Sequence, residues 1–251
     1  MTAELLLKQE QAMLNNLYSA YDLERSPQSR TMQQLIAKTI LPFLKADTNG
    51  LEFGCSDGYL TEQYARIIAQ LDVVDASENF IREARKRALP NVNFFCSLFE
   101  EFETNTKYDY IFASFILEHV IDPLQILSIM KRLLKPDGLI FVIVPNARAL
   151  SRQLALHMNI ISDLKNLTEN DLRYGHRRVY DRVAINKDLA SLGFETIYQT
   201  GLMLKILADF QMDQLIGEQF LQQQHIEGLY TLGLEYPDLC GSLFSVARIK
   251  A

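Results

Sequence analysis

The stretch Leu51-Glu52-Phe53-Gly54-Cys55-Ser56-Asp57-Gly58-Tyr59-Leu60 constrains this chain more than any other. It opens as a short apolar run, turns on small residues at alternate positions, and continues with Leu60, Tyr64, Ile67, Ile68 and Leu71 at helical spacing. A strand, a tight small-residue turn and a helix form the first unit of an open α/β sheet. Gly54 and Gly58 let backbone approach a ligand where a Cβ would collide. The unpaired N–H groups that start the next helix face the same point. The spacing is Glu52-x-Gly54-x-Ser56-x-Gly58, an acid followed by small residues at every second position. It is not the G-x-G-x-x-G of dinucleotide folds.

The rest of the chain supplies more units of the same kind. Leu71-Asp72-Val73-Val74-Asp75 reads as a second buried strand ending in an acid. An acid at that place can accept hydrogen bonds from ribose hydroxyls. Ser77 is suited to cap the next helix, whose Phe80, Ile81, Ala84 and Ala88 point inward. Residues 91–96 form a third strand and Tyr108 to Ser114 a fourth, which runs into Phe115-Ile116-Leu117-Glu118-His119-Val120. A helix carrying Leu124, Leu127, Met130 and Leu134 is stopped by Lys135-Pro136-Asp137-Gly138, and Leu139 to Val144 is a fifth strand. Asp181 caps a helix ending at Gly193, Phe194 to Thr200 is a sixth strand, and Leu243 to Ile249 alternates as a last one. Two helices are expected before the first strand, one over about residues 3–24 and one opening at Ser26-Pro27.

Composition narrows the function classes. A chain of 251 residues with 48% apolar content suits one α/β domain with additions. A net charge of −6 argues against the basic face of a nucleic-acid binder. Cys55, Cys96 and Cys240 lie far apart and read as reduced thiols, as in a cytoplasmic protein. No apolar run approaches the ~18 residues of a membrane span, and no leader pattern is visible. Nothing in the sequence bears on oligomeric state.

Glu52-x-Gly54-x-Ser56-x-Gly58 resembles motif I of the class I S-adenosylmethionine (SAM)-dependent methyltransferases, with Ser56 at the middle glycine. The Leu-Glu-His-Val at 117–120, the Leu-Lys-Pro-Asp-Gly at 134–138 and Val144-Pro145-Asn146 resemble the ubiquinone-biosynthesis and sugar O-methyltransferase branch. The resemblance implies a doubly wound, Rossmann-like α/β sheet of seven strands with the last strand antiparallel. It implies SAM as cofactor and S-adenosylhomocysteine as product. Implied cofactor contacts come from Glu52, Phe53, Gly54, Cys55, Ser56 and Gly58, from Asp75 and Ala76, and from Phe115. The turn Ser97-Leu98-Phe99 would hold adenine through backbone groups and apolar packing. The expected divisions are N-terminal helices over 1–46, a core over 47–200 and 240–251, and helical substrate caps over 147–180 and 201–239.

His119, at the mouth of the fourth strand, is the candidate general base for a hydroxyl acceptor. Glu118, His176, Arg177 and Tyr180 are candidate acceptor contacts, with the His176-Arg177-Arg178 cluster offering a fixed point for a phosphate or carboxylate. Some relatives place E-x-x-E-H after the fourth strand, with a further histidine, around a divalent ion. Phe115 replaces the first acid of that pattern, so no metal is expected. The expected activity is methyl transfer to a small molecule, oxygen favoured over nitrogen, with a small anionic metabolite or sugar derivative as acceptor. The rival readings are a non-catalytic SAM- or nucleotide-binding regulator and a nicotinamide-dependent oxidoreductase, the latter disfavoured by the glycine spacing.

Overall fold

The computed structural model of the chain describes residues 26–250. The helix expected over about residues 3–24 lies outside them. Seven strands form one sheet: β1 (Asn49–Phe53), β2 (Gln70–Asp75), β3 (Val92–Cys96), β4 (Tyr108–Ser114), β5 (Leu134–Pro145), β6 (Phe194–Leu202) and β7 (Ser242–Ile249). Their order is β3-β2-β1-β4-β5-β7-β6, with β7 antiparallel to both neighbours and the other pairings parallel. The expected sheet is therefore present. Its direction of growth reverses between β1 and β4, the switch point where open α/β sheets bind ligands.

Both faces of the sheet are covered, which is why its central strands are continuous apolar runs. One face packs on α4 (Pro123–Leu133) and α7 (Arg182–Ser191), through Leu127, Met130, Ile185 and Leu189. The other packs on α1 (Pro27–Ile40), α2 (Tyr59–Ala65) and α3 (Glu78–Arg85). Aromatic rings cross that second face in a row. Tyr64 stacks on Phe112 at 4.1 Å, Phe112 on Phe141 at 5.2 Å, and Phe141 on Phe244 at 6.3 Å. Phe112 and Phe141 are direct register partners in β4 and β5, so sheet pairing itself places the rings together.

The 201–239 insertion has two helices, α8 (Asp209–Gly217) and α9 (Gln223–Glu235). They dock against α1. The Gln28 amide donates to Asp213 Oδ1 at 2.8 Å, and the Thr39 and Tyr230 hydroxyls pair at 3.0 Å. Met212, Ile226 and Tyr230 are buried in the same apolar cluster as α1. The insertion thus completes one layer of the fold as well as flanking the ligand end of the sheet. The 147–180 segment contains α5 (Leu150–His157) and the short α6 (Glu169–Arg173).

Two local expectations change. Lys135-Pro136-Asp137-Gly138 is the start of β5 and not a turn, because Leu134 pairs with Tyr108 before a register shift. Proline is tolerated at such an irregularity. Ser26 caps α1 as expected, its Oγ accepting from the Ser29 amide at 3.2 Å. Ser77, by contrast, occupies the start of α3 with its hydroxyl buried and unpartnered. The Asp75 carboxylate takes the Ser77 amide instead.

Candidate active site

The chain leaves β1 through three residues in the left-handed region: Gly54 at φ 77°, Ser56 at φ 47° and Gly58 at φ 75°. That conformation costs an L side chain roughly 1–2 kcal/mol, so the serine at the middle position is strained where glycine would not be. The two glycines answer to different neighbours. A Cβ on Gly54 would lie 2.5 Å from Ile116 Cδ1, in the segment after β4, whereas one on Gly58 would lie 2.8 Å from Ala84 Cα in α3. Gly58 therefore serves helix packing, and Gly54 serves the crossing of the two ligand-end loops.

Asp75 ends β2 and is buried. Its Oδ2 accepts from the Cys55 amide at 3.0 Å and its Oδ1 from the Ser77 amide at 2.8 Å. One carboxylate thereby ties the glycine turn to the end of the neighbouring strand. Burial raises Asp75 above the usual carboxylate range, partly offset by those amides. Cys55 and Ala76 are buried beside it. Phe53 and Phe99 stack on one another at 4.8 Å, Phe53 within the core and Phe99 packed against it. The Ser97 amide donates to the Asp75 carbonyl at 3.1 Å, which sets Ser97 and buried Leu98 beside the end of β2.

The helix that carries the turn is anchored from α1, a link that sequence reasoning missed. Asp57 Oδ2 pairs with Arg30 at 2.7 Å and Arg87 at 3.2 Å, and Arg30 lies over the Tyr59 ring at 4.6 Å. Glu52 is buried and accepts from Thr61 Oγ1 at 2.6 Å. Burial, opposed by the Thr61 bond, pushes it from 4.5 up to about 8. The unfolded chain therefore loses this proton at lower pH than the folded one, so Glu52 makes stability fall as pH rises from about 4.5 to about 8. Glu52→Gln should flatten that decline in urea unfolding at about pH 5 and about pH 8. An equally steep fall in the variant would contradict the assignment.

After β4, Phe115 takes a left-handed φ of 58° and leans on the apolar cluster of α1 and α2. A bulky residue in that region marks a constrained site. The tight turn that follows carries Glu118 and His119. Glu118 is fully buried, and neither carboxylate oxygen finds a hydrogen-bond partner. Burial, opposed by His176, pushes it up to about 7. Burial first, then His176, pushes His119 down to about 3. His119 and His176 meet edge to face with ring centroids 4.8 Å apart.

The 168–180 segment builds the other wall. His176 Nδ1 pairs with Asp171 Oδ1 at 3.1 Å. Asp171 Oδ2 accepts from Thr168 Oγ1 at 2.7 Å and pairs with Arg152 at 2.9 Å. Burial opposes ionisation of Asp171, but the bonds from His176, Thr168 and Arg152 outweigh it and hold the carboxyl well below the usual range. Sequence reasoning missed Asp171, whose one signal is the capping box Thr168-x-x-Asp171.

The arginines expected to anchor an anion instead brace the Glu118 turn. Arg177 Nε donates to the His119 carbonyl at 2.7 Å and its amide to the Glu118 carbonyl at 2.8 Å. Arg178 donates to the carbonyls of Leu117, Val120 and Ile121 at 2.7, 2.5 and 3.0 Å. Tyr180 is buried in the core and bridges Asn146 at the end of β5.

Glu118, His119 and His176 each offer a ligand atom, and these atoms lie within 4.8 Å of one another. The expectation of no metal rested on Phe115, which removes one acid. The three remaining donors nevertheless converge, and both buried oxygens of Glu118 are without a hydrogen-bond partner. This donor set fits a divalent ion.

Comparison with known proteins agrees with the fold and the motifs. A family model described as a methyltransferase domain matches residues 24–199. The chain is 32% identical to the ubiquinone biosynthesis O-methyltransferase of Actinobacillus pleuropneumoniae serotype 5b (strain L20), covering 48% of this chain and 56% of that protein. It is 33% identical to the protein of the same name from Pasteurella multocida (strain Pm70), covering 40% and 50%. The chain thus spans about half the length of the curated relatives it matches. Among solved structures it resembles the N-methyltransferase NodS from Bradyrhizobium japonicum WM9 in complex with S-adenosylhomocysteine, at TM-score 0.57 and 16% identity over 98% of both chains. It also resembles the plantazolicin methyltransferase BpumL, at TM-score 0.59 and 17% identity over 94% of this chain and 90% of that one. At such identities these two likenesses speak for the fold. With the family model covering most of its length, and with the acid-then-small-residue turn at the switch point of a 3-2-1-4-5-7-6 sheet, the chain belongs to the class I SAM-dependent methyltransferases.

Proposed function

We propose that this protein transfers a methyl group from SAM to a hydroxyl oxygen of a small-molecule acceptor. The convergence of Glu118, His119 and His176 at the mouth of β4 carries the oxygen assignment. A hydroxyl must lose a proton as it is methylated, and one carboxylate with two imidazoles at the mouth of β4 supports that chemistry. The O-methyltransferase names of the curated relatives support the same reading.

SAM brings an already activated methyl, so the protein's task is largely alignment. The glycine turn supplies backbone at the crossing with Ile116, and Asp75 at the end of β2 would share its two oxygens between the Cys55 and Ser77 amides and the ribose hydroxyls. Ser97 and Leu98 stand beside the end of β2, which supports the adenine contact expected of that turn. Glu118, His119 and His176 would hold a divalent ion, which supplies Lewis acidity that lowers the pKa of a coordinated hydroxyl. Burial and His176 favour the neutral imidazole of His119, the form in which a histidine ligates a metal. Arg177 and Arg178 keep the Glu118 turn in place through its carbonyls.

The test is S-adenosylhomocysteine formation by the purified protein with phenolic, catecholic and sugar hydroxyl acceptors, run beside their amine analogues. Acceptor-dependent product with a hydroxyl and not with the matching amine is expected. Methylation of amines alone would overturn the oxygen assignment. Cofactor binding without turnover on any acceptor would favour the non-catalytic reading.

A further inference from the structure

The cluster after β4 also carries information about which cation it takes. Glu118 is its one carboxylate, and both oxygens are sealed from solvent without a hydrogen-bond partner. A buried carboxylate in that state is costly unless a cation compensates it. The nearby guanidiniums of Arg177 and Arg178 donate to backbone carbonyls. The other two donors are imidazoles. His176 has its Nδ1 engaged by Asp171, which leaves Nε2 as its ligand atom. Asp171 is itself fixed by Thr168 and Arg152. A carboxylate behind a histidine is the usual arrangement that orients an imidazole toward a metal.

Phe115 decides the character of the set. Its ring packs into the apolar cluster and adds no oxygen. Magnesium favours oxygen ligands in octahedral geometry, whereas imidazole nitrogen suits zinc, cobalt and similar ions. We propose that Glu118, His119 and His176 form a divalent-cation site that selects zinc or cobalt(II) over magnesium, with Asp171 positioning His176 for it. This rests on the placement of the site given above, but not on the identity of the acceptor.

The experiment titrates cobalt(II) into chelator-treated full-length protein and reads visible absorption, with zinc and magnesium as competitors. A Cys96→Ser background removes the exposed thiol, which could bind these ions by itself. One equivalent of cobalt should bind with d–d bands, zinc should displace it, and magnesium in ~100-fold excess should not. Asp171→Asn should weaken cobalt ~10–100-fold. His176→Ala should abolish stoichiometric binding. Circular dichroism and S-adenosylhomocysteine affinity should stay unchanged in both variants. Failure to bind one equivalent, or binding indifferent to His176→Ala, would overturn the site. Displacement by equimolar magnesium would overturn the selectivity. S-adenosylhomocysteine titrated into the same unaltered protein separates the two readings, because its failure to bind would count against methyl transfer and not against the metal.

Discussion

Gly54→Val should reduce S-adenosylhomocysteine affinity at least ~100-fold, a loss of about 2.7 kcal/mol. Gly54 holds φ 77°, which a β-branched residue adopts only under strain. Its new Cβ would also lie 2.5 Å from Ile116 Cδ1, so the turn after β4 must shift as well. Read from sequence alone, the substitution blocks a ligand and spares the fold. The contact with Ile116 adds a second consequence, a lower melting temperature. Calorimetric titration and thermal unfolding together check both. Near-native affinity in the variant would show that the glycine turn does not form the cofactor site.

Arg178→Ala should destabilise the protein by about 3 kcal/mol, because the carbonyls of Leu117, Val120 and Ile121 lose their donor at once. For a domain of this size that corresponds to a fall in Tm of roughly 6–12 °C. Turnover should fall further than stability alone explains, since the same turn carries Glu118 and His119. Arg178→Lys should not restore either property, because one ammonium cannot reproduce a fork that reaches three carbonyls. Affinity for S-adenosylhomocysteine should change little. An unchanged Tm would mean that the turn is held by something other than this arginine.

The sheet was legible because its strands are apolar runs broken by small residues, and a doubly covered sheet leaves that mark. The start of β5 was hidden, since Lys135-Pro136-Asp137-Gly138 has the composition of a turn and only pairing with β4 makes it strand. The helices of the 201–239 insertion could be read from their apolar residues, but an amphipathic pattern does not name its partner, which proved to be α1. At the site, Glu118 and His119 stood out by their place after β4. Asp171 did not, because a capping residue carries no sign that it also holds a histidine. His176-Arg177-Arg178 looked like an anion site for a similar reason. The charges are visible in the sequence, while the Asp171 carboxylate beside His176 and the carbonyls beside the two arginines appear only in the fold.

On the proposed function, the ends of β1 and β2 form the SAM site of a methyltransferase. Calorimetric titration of S-adenosylhomocysteine into the unaltered protein and into Asp75→Ala tests it most directly. The variant loses the acceptor for ribose hydroxyls and the tie between Asp75 and the Cys55 and Ser77 amides. The prediction is one-to-one binding by the unaltered protein and affinity weaker by ~1.5–3 kcal/mol in the variant, about ten- to a hundredfold. No binding by the unaltered protein, or equal affinity in the two, would contradict it.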